Sequence, residues 1–329
     1  MSSPADAMPA DSSDGGVSPN PLDRRLVLLL RVATASCFAA WAWQHLRWSG
    51  PYASLLLNPD IFGFVEMFGI EWIEWINEIM TEERILLLSR IIGVFFGLVA
   101  LAAVFVSGRR RFPHVLLWLG SFVLCLTAAG IAVHDRSGVL WIEQAGQIGC
   151  PILLSLAIFR GPRSPAVLVT AIVALWAVFI SHGLFAAGVF QIPGSFLSMT
   201  HAILQLDERG TVTFLRIVGL LDFVICVACL IPVLRKPALA YACLWGLLTA
   251  AARPVAGMSL LAPYWGADVF LHETFQRLPH AAIPAFLFFA WRRKVRSSDG
   301  AGNRRRSSSD GGTGHASSAE PAGGLQASA

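Results

Sequence analysis

Apolar residues along this chain run in long blocks broken by short polar, proline- and glycine-bearing stretches. Eight such blocks occur, at approximately 26–46, 85–107, 113–133, 142–159, 165–187, 212–234, 238–258 and 274–291. Each is near the ~20 residues that an α-helix needs to cross ~30 Å of hydrocarbon. The fourth and eighth are entered through polar residues. The pattern predicts an all-α integral membrane bundle of about eight helices over 23–296, flanked by a disordered leader at 1–22 and a disordered tail at 297–329. Both flanks are rich in Ser, Gly and Ala and have no hydrophobic period.

The loops add an orientation. Arg24, Arg25, Arg109, Arg110, Arg111, Arg160, Arg163, Arg235, Lys236, Arg292, Arg293, Lys294 and Arg296 fall at one set of boundaries, against Arg47, Arg84, Arg136 and Arg209 at the other. Basic residues collect on the cytoplasmic side. This places both termini in the cytoplasm, as an even number of spans requires. The longest outer connection, 47–84, contains Glu71, Glu74 and Glu78 at helical spacing, with Trp72, Ile73, Ile76, Ile79 and Met80 between them. That alternation predicts an amphipathic helix over 61–82, lying on the outer leaflet or over the outer mouth of the bundle.

Composition narrows the function classes. With 55% apolar and 14% charged residues, the chain is too apolar for a water-soluble enzyme, and its net charge of +4 gives no reason to expect nucleic acid. The mean hydropathy of +0.61 agrees. Cys37, Cys125, Cys150, Cys226, Cys229 and Cys243 all lie inside apolar blocks, as packing residues do. Cys226 and Cys229 are two residues apart within one block, which suits helix packing better than thiol redox chemistry.

Candidate chemistry sits at membrane depth, where ionisable groups cost ~2.5–3.5 kcal/mol on insertion scales and turn towards the bundle interior. The candidates are Arg90, Glu143, His182, Arg216, Asp222, Arg253 and Glu273, with Gln144 and Gln147 beside them; Arg31 lies near the opposite face. Most fall in the outer half of the spans. They predict either a shared outward-facing polar cavity or separate side chains, each reaching water at its own helix end. Asp222 lies roughly 15 Å in, and needs a proton or an arginine from a neighbouring helix. No histidine pair has metal-ligand spacing on one helix. A haem would have to use His182, with His280 as the second axial candidate.

Two stretches repeat. Leu88-Ser-Arg90-Ile-Ile-Gly93 is followed by Gln144-Ala-Gly-Gln147 and Pro151; Phe214-Leu-Arg216-Ile-Val-Gly219 is followed by Arg277-Leu-Pro-His280 and Pro284. The spans then divide into two parallel four-helix units. Gly93 and Gly97 add a small-residue helix-contact spacing.

The repeated Leu-Arg-x-x-Gly helix start resembles DoxX-like bacterial membrane proteins. So do Glu143-Gln144 with Pro151, Ser181-His182-Gly183, Pro193-Gly194, Phe214 to Phe223 and Glu273 to His280 through Pro284. The resemblance covers most of 85–290 and implies a multi-pass protein of the bacterial inner (plasma) membrane. It also implies a link to quinone chemistry, because the family takes its name from a subunit of a thiosulfate:quinone oxidoreductase. A weaker similarity is to the membrane part of vitamin K-dependent carboxylases. Three functions stay open: an accessory or structural protein holding a membrane-protein partner without a cofactor, a quinone- or haem-associated redox subunit, and a small-anion binding or transport protein using Arg90, Arg216 and Arg253. No independent catalytic constellation is present, and lipid is the one assured partner.

Overall fold

The computed structural model describes residues 20–134, 137–258 and 263–291. Most of the leader, the whole tail, Arg136 and the basic run Arg292–Arg296 lie outside the described residues. The bundle is all-α. Its long helices are α1 (Pro21–Arg47), α5 (Glu82–Phe105), α6 (Arg111–His134), α9 (Pro165–Ala186), α11 (Glu208–Ala228) and α12 (Arg235–Gly257). A seventh crossing is α7 (Gly138–Glu143) continued by α8 (Ala145–Arg160), and an eighth is α13 (Pro263–Gln276) continued by α14 (Leu278–Ala290). Seven segments are long and apolar enough to cross a membrane, and the chain is a multi-pass membrane protein. The eighth crossing is cut into two short helices at Arg277.

Leu87, Ile91, Val94, Leu98 and Leu101 form an exposed stripe on α5, and Ile217, Leu220, Val224 and Val227 form one on α11. Such stripes suit acyl chains. The inward faces bury Leu30, Phe38, Phe96, Leu154, Leu239, Ile283 and Phe286 in one core.

The two-unit plan is visible in the packing. Helix α1 packs on α5, α5 on α6, α6 on α8, and α8 returns to α1; α9 packs on α11, α11 on α12, α12 on α14, and α14 returns to α9. The units meet where α1 touches α13 and α14 and where α8 touches α9. Three details repeat at equivalent positions. The crossing helix breaks at Gln144 (φ −78°, ψ −1°) in one unit and at Arg277 (φ −88°, ψ −1°) in the other. Seven residues further on come Pro151 and Pro284, each lacking the amide that would close a helical bond to Gln147 or His280. And Gly93 and Gly219 each let their helix close on the end of the preceding one. A Cβ on Gly93 would stand 2.9 Å from His45 Cβ, and one on Gly219 would stand 2.4 Å from the Ala187 nitrogen.

Several boundaries differ from the sequence expectation. The block at 212–234 is helical only to Ala228, because the chain then turns and Arg235 folds back to donate to the carbonyls of Cys229 and Leu230 at 3.0 and 3.2 Å. Arg31, near the opposite face, is held by the end of a neighbouring helix. It donates to the carbonyls of Ala103, Val104 and Val106, filling the acceptors left open at the end of α5.

The single amphipathic helix expected over 61–82 is instead several short pieces. A 3₁₀ turn (Pro59–Ile61) leads into α3 (Phe62–Glu66), and α4 (Trp72–Glu74) runs into a π-helical turn (Trp75–Ile79). Gly69, at φ +73°, makes the break, a conformation that an L side chain disfavours. The face pattern survives in part after it: Glu71, Glu74 and Glu78 are exposed and Trp72, Trp75, Ile76, Ile79 and Met80 are half-buried, but Ile73 is exposed. Trp75 Nε1 donates to the carbonyl of Leu56, in α2 (Tyr52–Leu56), at 2.8 Å. Buried Tyr52 ties this connection to the bundle through His45 Nε2 (2.8 Å) and Thr127 Oγ1 (3.0 Å), and burial pushes its phenol up to about 12.

Gly219→Ala should lower the thermal midpoint of the purified protein, by about 1–3 kcal/mol of overpacking. Gly97→Ala, whose Cβ would meet nothing nearer than Ala42 Cβ at 3.9 Å, should leave it unchanged or raise it by up to ~1 kcal/mol of helix propensity. Equal losses in the two variants would contradict the close α9–α11 contact.

Candidate functional site

The helix break at Arg277 builds the site. Ending α13 there turns the Arg277 side chain inward, where Nη1 lies 3.2 Å from Glu273 Oε2 and Nη2 lies 3.8 Å from Glu143 Oε1. The matching break at Gln144 leaves Glu143 at the end of α7, buried to 3% exposure. Arg253, near the end of α12, places Nε 2.8 Å from Glu273 Oε2, and His182, in the last turn of α9, places Nε2 3.6 Å from Glu143 Oε1. Two guanidinium groups therefore face two carboxylates, and with neutral histidine the cluster carries no net charge. Around it Gln276 Nε2 donates to Gln44 Oε1 at 2.6 Å, and Trp41 Nε1 donates to Gln147 Oε1 at 2.7 Å.

Of the sequence candidates, Glu143, His182, Arg253 and Glu273 come together here. Arg90 and Arg216 do not. Arg90 shares the exposed face of α5 with Leu87, Ile91 and Val94, and Arg216 shares that of α11 with Ile217 and Leu220. Asp222 is buried to 2% exposure on α11, and no arginine pairs with it among the described residues. Its Oδ1 is buried without a hydrogen-bond partner there.

Two cavities meet at the cluster. The larger, about 710 Å³, is mainly polar and is lined by Gln44, Glu143, Gln144, Arg253, Glu273 and Arg277 among others. The other, about 340 Å³, is mainly apolar and runs between α11, α12 and a short helix, α10 (Gly194–Leu204), down to Asp222. Glu143, Phe196, Arg253 and Arg277 belong to the walls of both. Phe196 of α10 lies nearly parallel to the His182 ring, with centroids 5.9 Å apart and planes 19° apart.

Sequence reasoning passed over two parts of this site. Arg277 stood in the repeat motif and inside the eighth apolar block but was not counted among the candidate charges. Helix α10 carries Phe196, Met199, Thr200, Ile203 and Leu204, a helical stripe short enough to be read as loop. Around the cavities, Gln144 Oε1, His272 Nδ1 and His280 Nε2 are buried without hydrogen-bond partners among the described residues. Such unmet polar atoms are unusual in a purely structural network.

Two prosthetic groups were in question. The His182 and His280 rings meet edge to face, with centroids 5.8 Å apart and planes at 76°, rather than presenting ring nitrogens across a shared slot, so they do not suit a bis-histidine haem. A quinone fits better. Its carbonyls need hydrogen-bond donors at a polar wall and its body needs an apolar cleft, and both are present. No cluster of His, Cys, Asp and Glu suited to a metal ion occurs among the described residues. Compared with known proteins, the chain matches no family model, no curated protein and no solved structure.

Arg277→Gln should destabilise the protein by about 3–5 kcal/mol, the usual cost of leaving buried carboxylates without their counter-charge. Adding Glu143→Gln should restore about 0.5–3 kcal/mol of that loss in a double-mutant cycle read by thermal unfolding. Strictly additive losses would show that the two side chains are not coupled.

Proposed function

We propose that this protein is an accessory component of the bacterial inner membrane, DoxX-like, with both termini in the cytoplasm, and that it holds a neutral amphiphile of the quinone type taken from the bilayer. The observation that carries the reading is the common wall of the two cavities. Glu143, Arg253 and Arg277 offer hydrogen-bonding groups on one side, and Met199, Ile203, Leu204, Leu215 and Leu248 offer an apolar bed on the other. A molecule with a polar head and an apolar body satisfies both at once, and the unpartnered His272 and Gln144 atoms give the head further partners.

Charge balance argues against the anion reading. Both clustered arginines already face carboxylates, and Arg90 and Arg216 point away from the site. A sulfate or carboxylate would have to displace Glu273 or Glu143 and leave it buried without a counter-charge. The basic boundary residues support the cytoplasmic termini. In that orientation the larger cavity opens outward, and α10 lies on the outer side, between the cavity and the lipid.

A short-chain quinone, titrated into the purified protein while tryptophan fluorescence is followed, should quench saturably, with Trp245 in the cleft among the reporters. Ala252→Phe, which fills the cleft, should weaken binding at least about tenfold, and added sulfate should not compete. Quenching that grows linearly with quinone, or that Ala252→Phe leaves unchanged, would overturn the reading.

A further inference from the structure

Beneath the ionic cluster, beside the apolar cleft, lies a third, small space of about 20 Å³, between α9, α11, α12 and α14. His182, Asp222, Thr249 and His280 line it, with Val178, Phe179, Trp245 and Gly246. Two of its polar atoms, Asp222 Oδ1 and His280 Nε2, are buried with no hydrogen-bond partner among the described residues. Both side chains are more than nine-tenths buried, Asp222 at 2% and His280 at 4% exposure. Backbone packing keeps His280 in place. A Cβ on Gly146 would stand 2.8 Å from its Cδ2, and one on Gly246 would stand 2.7 Å from its carbonyl oxygen.

One water needs roughly 10–15 Å³ of such space and two to four polar partners. The space is large enough, and its polar lining can supply the partners. Asp222 offers its unmet Oδ1, and His182 and His280 line the space beside it. The Thr249 hydroxyl donates to the Trp245 and Gly246 carbonyls and keeps its lone pairs free to accept.

We propose that this space is a site for one ordered water, and that it completes a proton path from the polar cavity to Asp222. The path runs from Glu143 through His182 and the water to Asp222, with His280 holding the water from the side. Each hop makes one O–H or N–H bond as it breaks the next, so a deuteron entering at Glu143 and a proton leaving by the same route change no net charge. Intramembrane Asp, Glu and His in a contiguous row are the usual material of such relays. The groups facing Asp222 are His182 from α9, His280 from α14, Tyr241 from α12 and Cys226 from its own helix. Arg253, Glu143 and Arg277 stand further up the cleft wall. Because Asp222 also forms the floor of the apolar cleft, the path ends where a bound amphiphile would lie. That last point rests on the function proposed above; the path itself does not.

The test uses the ligand-free protein reconstituted in lipid. Infrared difference spectra on exchange into D₂O should contain a carboxylic acid C=O band that Asp222→Asn removes. In the unaltered protein this band should shift early. In His182→Leu, which cuts the path above the water, it should shift at least about tenfold more slowly. Thr249→Val keeps the shape and removes only the hydroxyl, so it should also slow the shift, and it decides the matter if His182→Leu does not fold. Absence of any band assignable to Asp222 would overturn the proposal, as would unchanged exchange rates in the variants. Because no quinone is added, failure here leaves the binding proposal standing, and failure of the quinone titration leaves the path standing.

Discussion

A charge placed in hydrocarbon has to bring its counter-charge with it, and in this bundle that requirement is met by a broken helix. The four side chains come from three crossings: Glu143 at the end of α7, Arg253 on α12, and Glu273 with Arg277 one turn apart at the end of α13. Glu143 and Arg277 each lie beside a break, at Gln144 and at Arg277 itself. A break inside a membrane is tolerated only where protein or a cavity receives the freed backbone groups. So the ionic cluster and the large cavity depend on each other. The cavity accommodates the breaks, and the breaks supply the charges that make the cavity polar.

The two four-helix units follow one plan and differ in what they place at matching points. In the first, Trp41 and Gln147 meet between α1 and α8 and satisfy each other. In the second, His182 and His280 meet between α9 and α14, and one ring nitrogen is left over. The first arrangement closes a contact. The second leaves hydrogen-bonding capacity unused.

Much of this was legible in the chain. Long apolar blocks show crossings because hydrocarbon thickness fixes their length, and the Arg-x-x-Gly and Pro repeats point to the two units because close approach and helix breaks each demand particular residues. Rotation about the helix axis was less legible. Arg90 and Arg216 sit at membrane depth in the sequence, yet which way each faces is set by how α5 and α11 are rotated against their neighbours, and that is a tertiary fact. The helical spacing of Glu71, Glu74 and Glu78, all after Gly69, did not show that Gly69 would cut the outer amphipathic stretch before them. Arg277 lay inside the eighth apolar block, but its partners across the bundle are again a tertiary fact.

The ties on Tyr52 have a mechanical consequence. In the first unit the segment after α1 is stitched to its helices by Tyr52 to His45 and Thr127, by Ser54 to the Gly130 carbonyl and by the Gly50 amide to Ser89. In the second unit the segment after α9 rests on its neighbours through apolar side chains and one stacked ring, while the described hydrogen bonds of α10 side chains stay local to it. The first segment is pinned by cross-helix hydrogen bonds, and the second is held by packing alone among the described contacts. Thermal motion normal to the helices should therefore concentrate beside α10, so that the bilayer and the interior exchange material through a single side of the molecule.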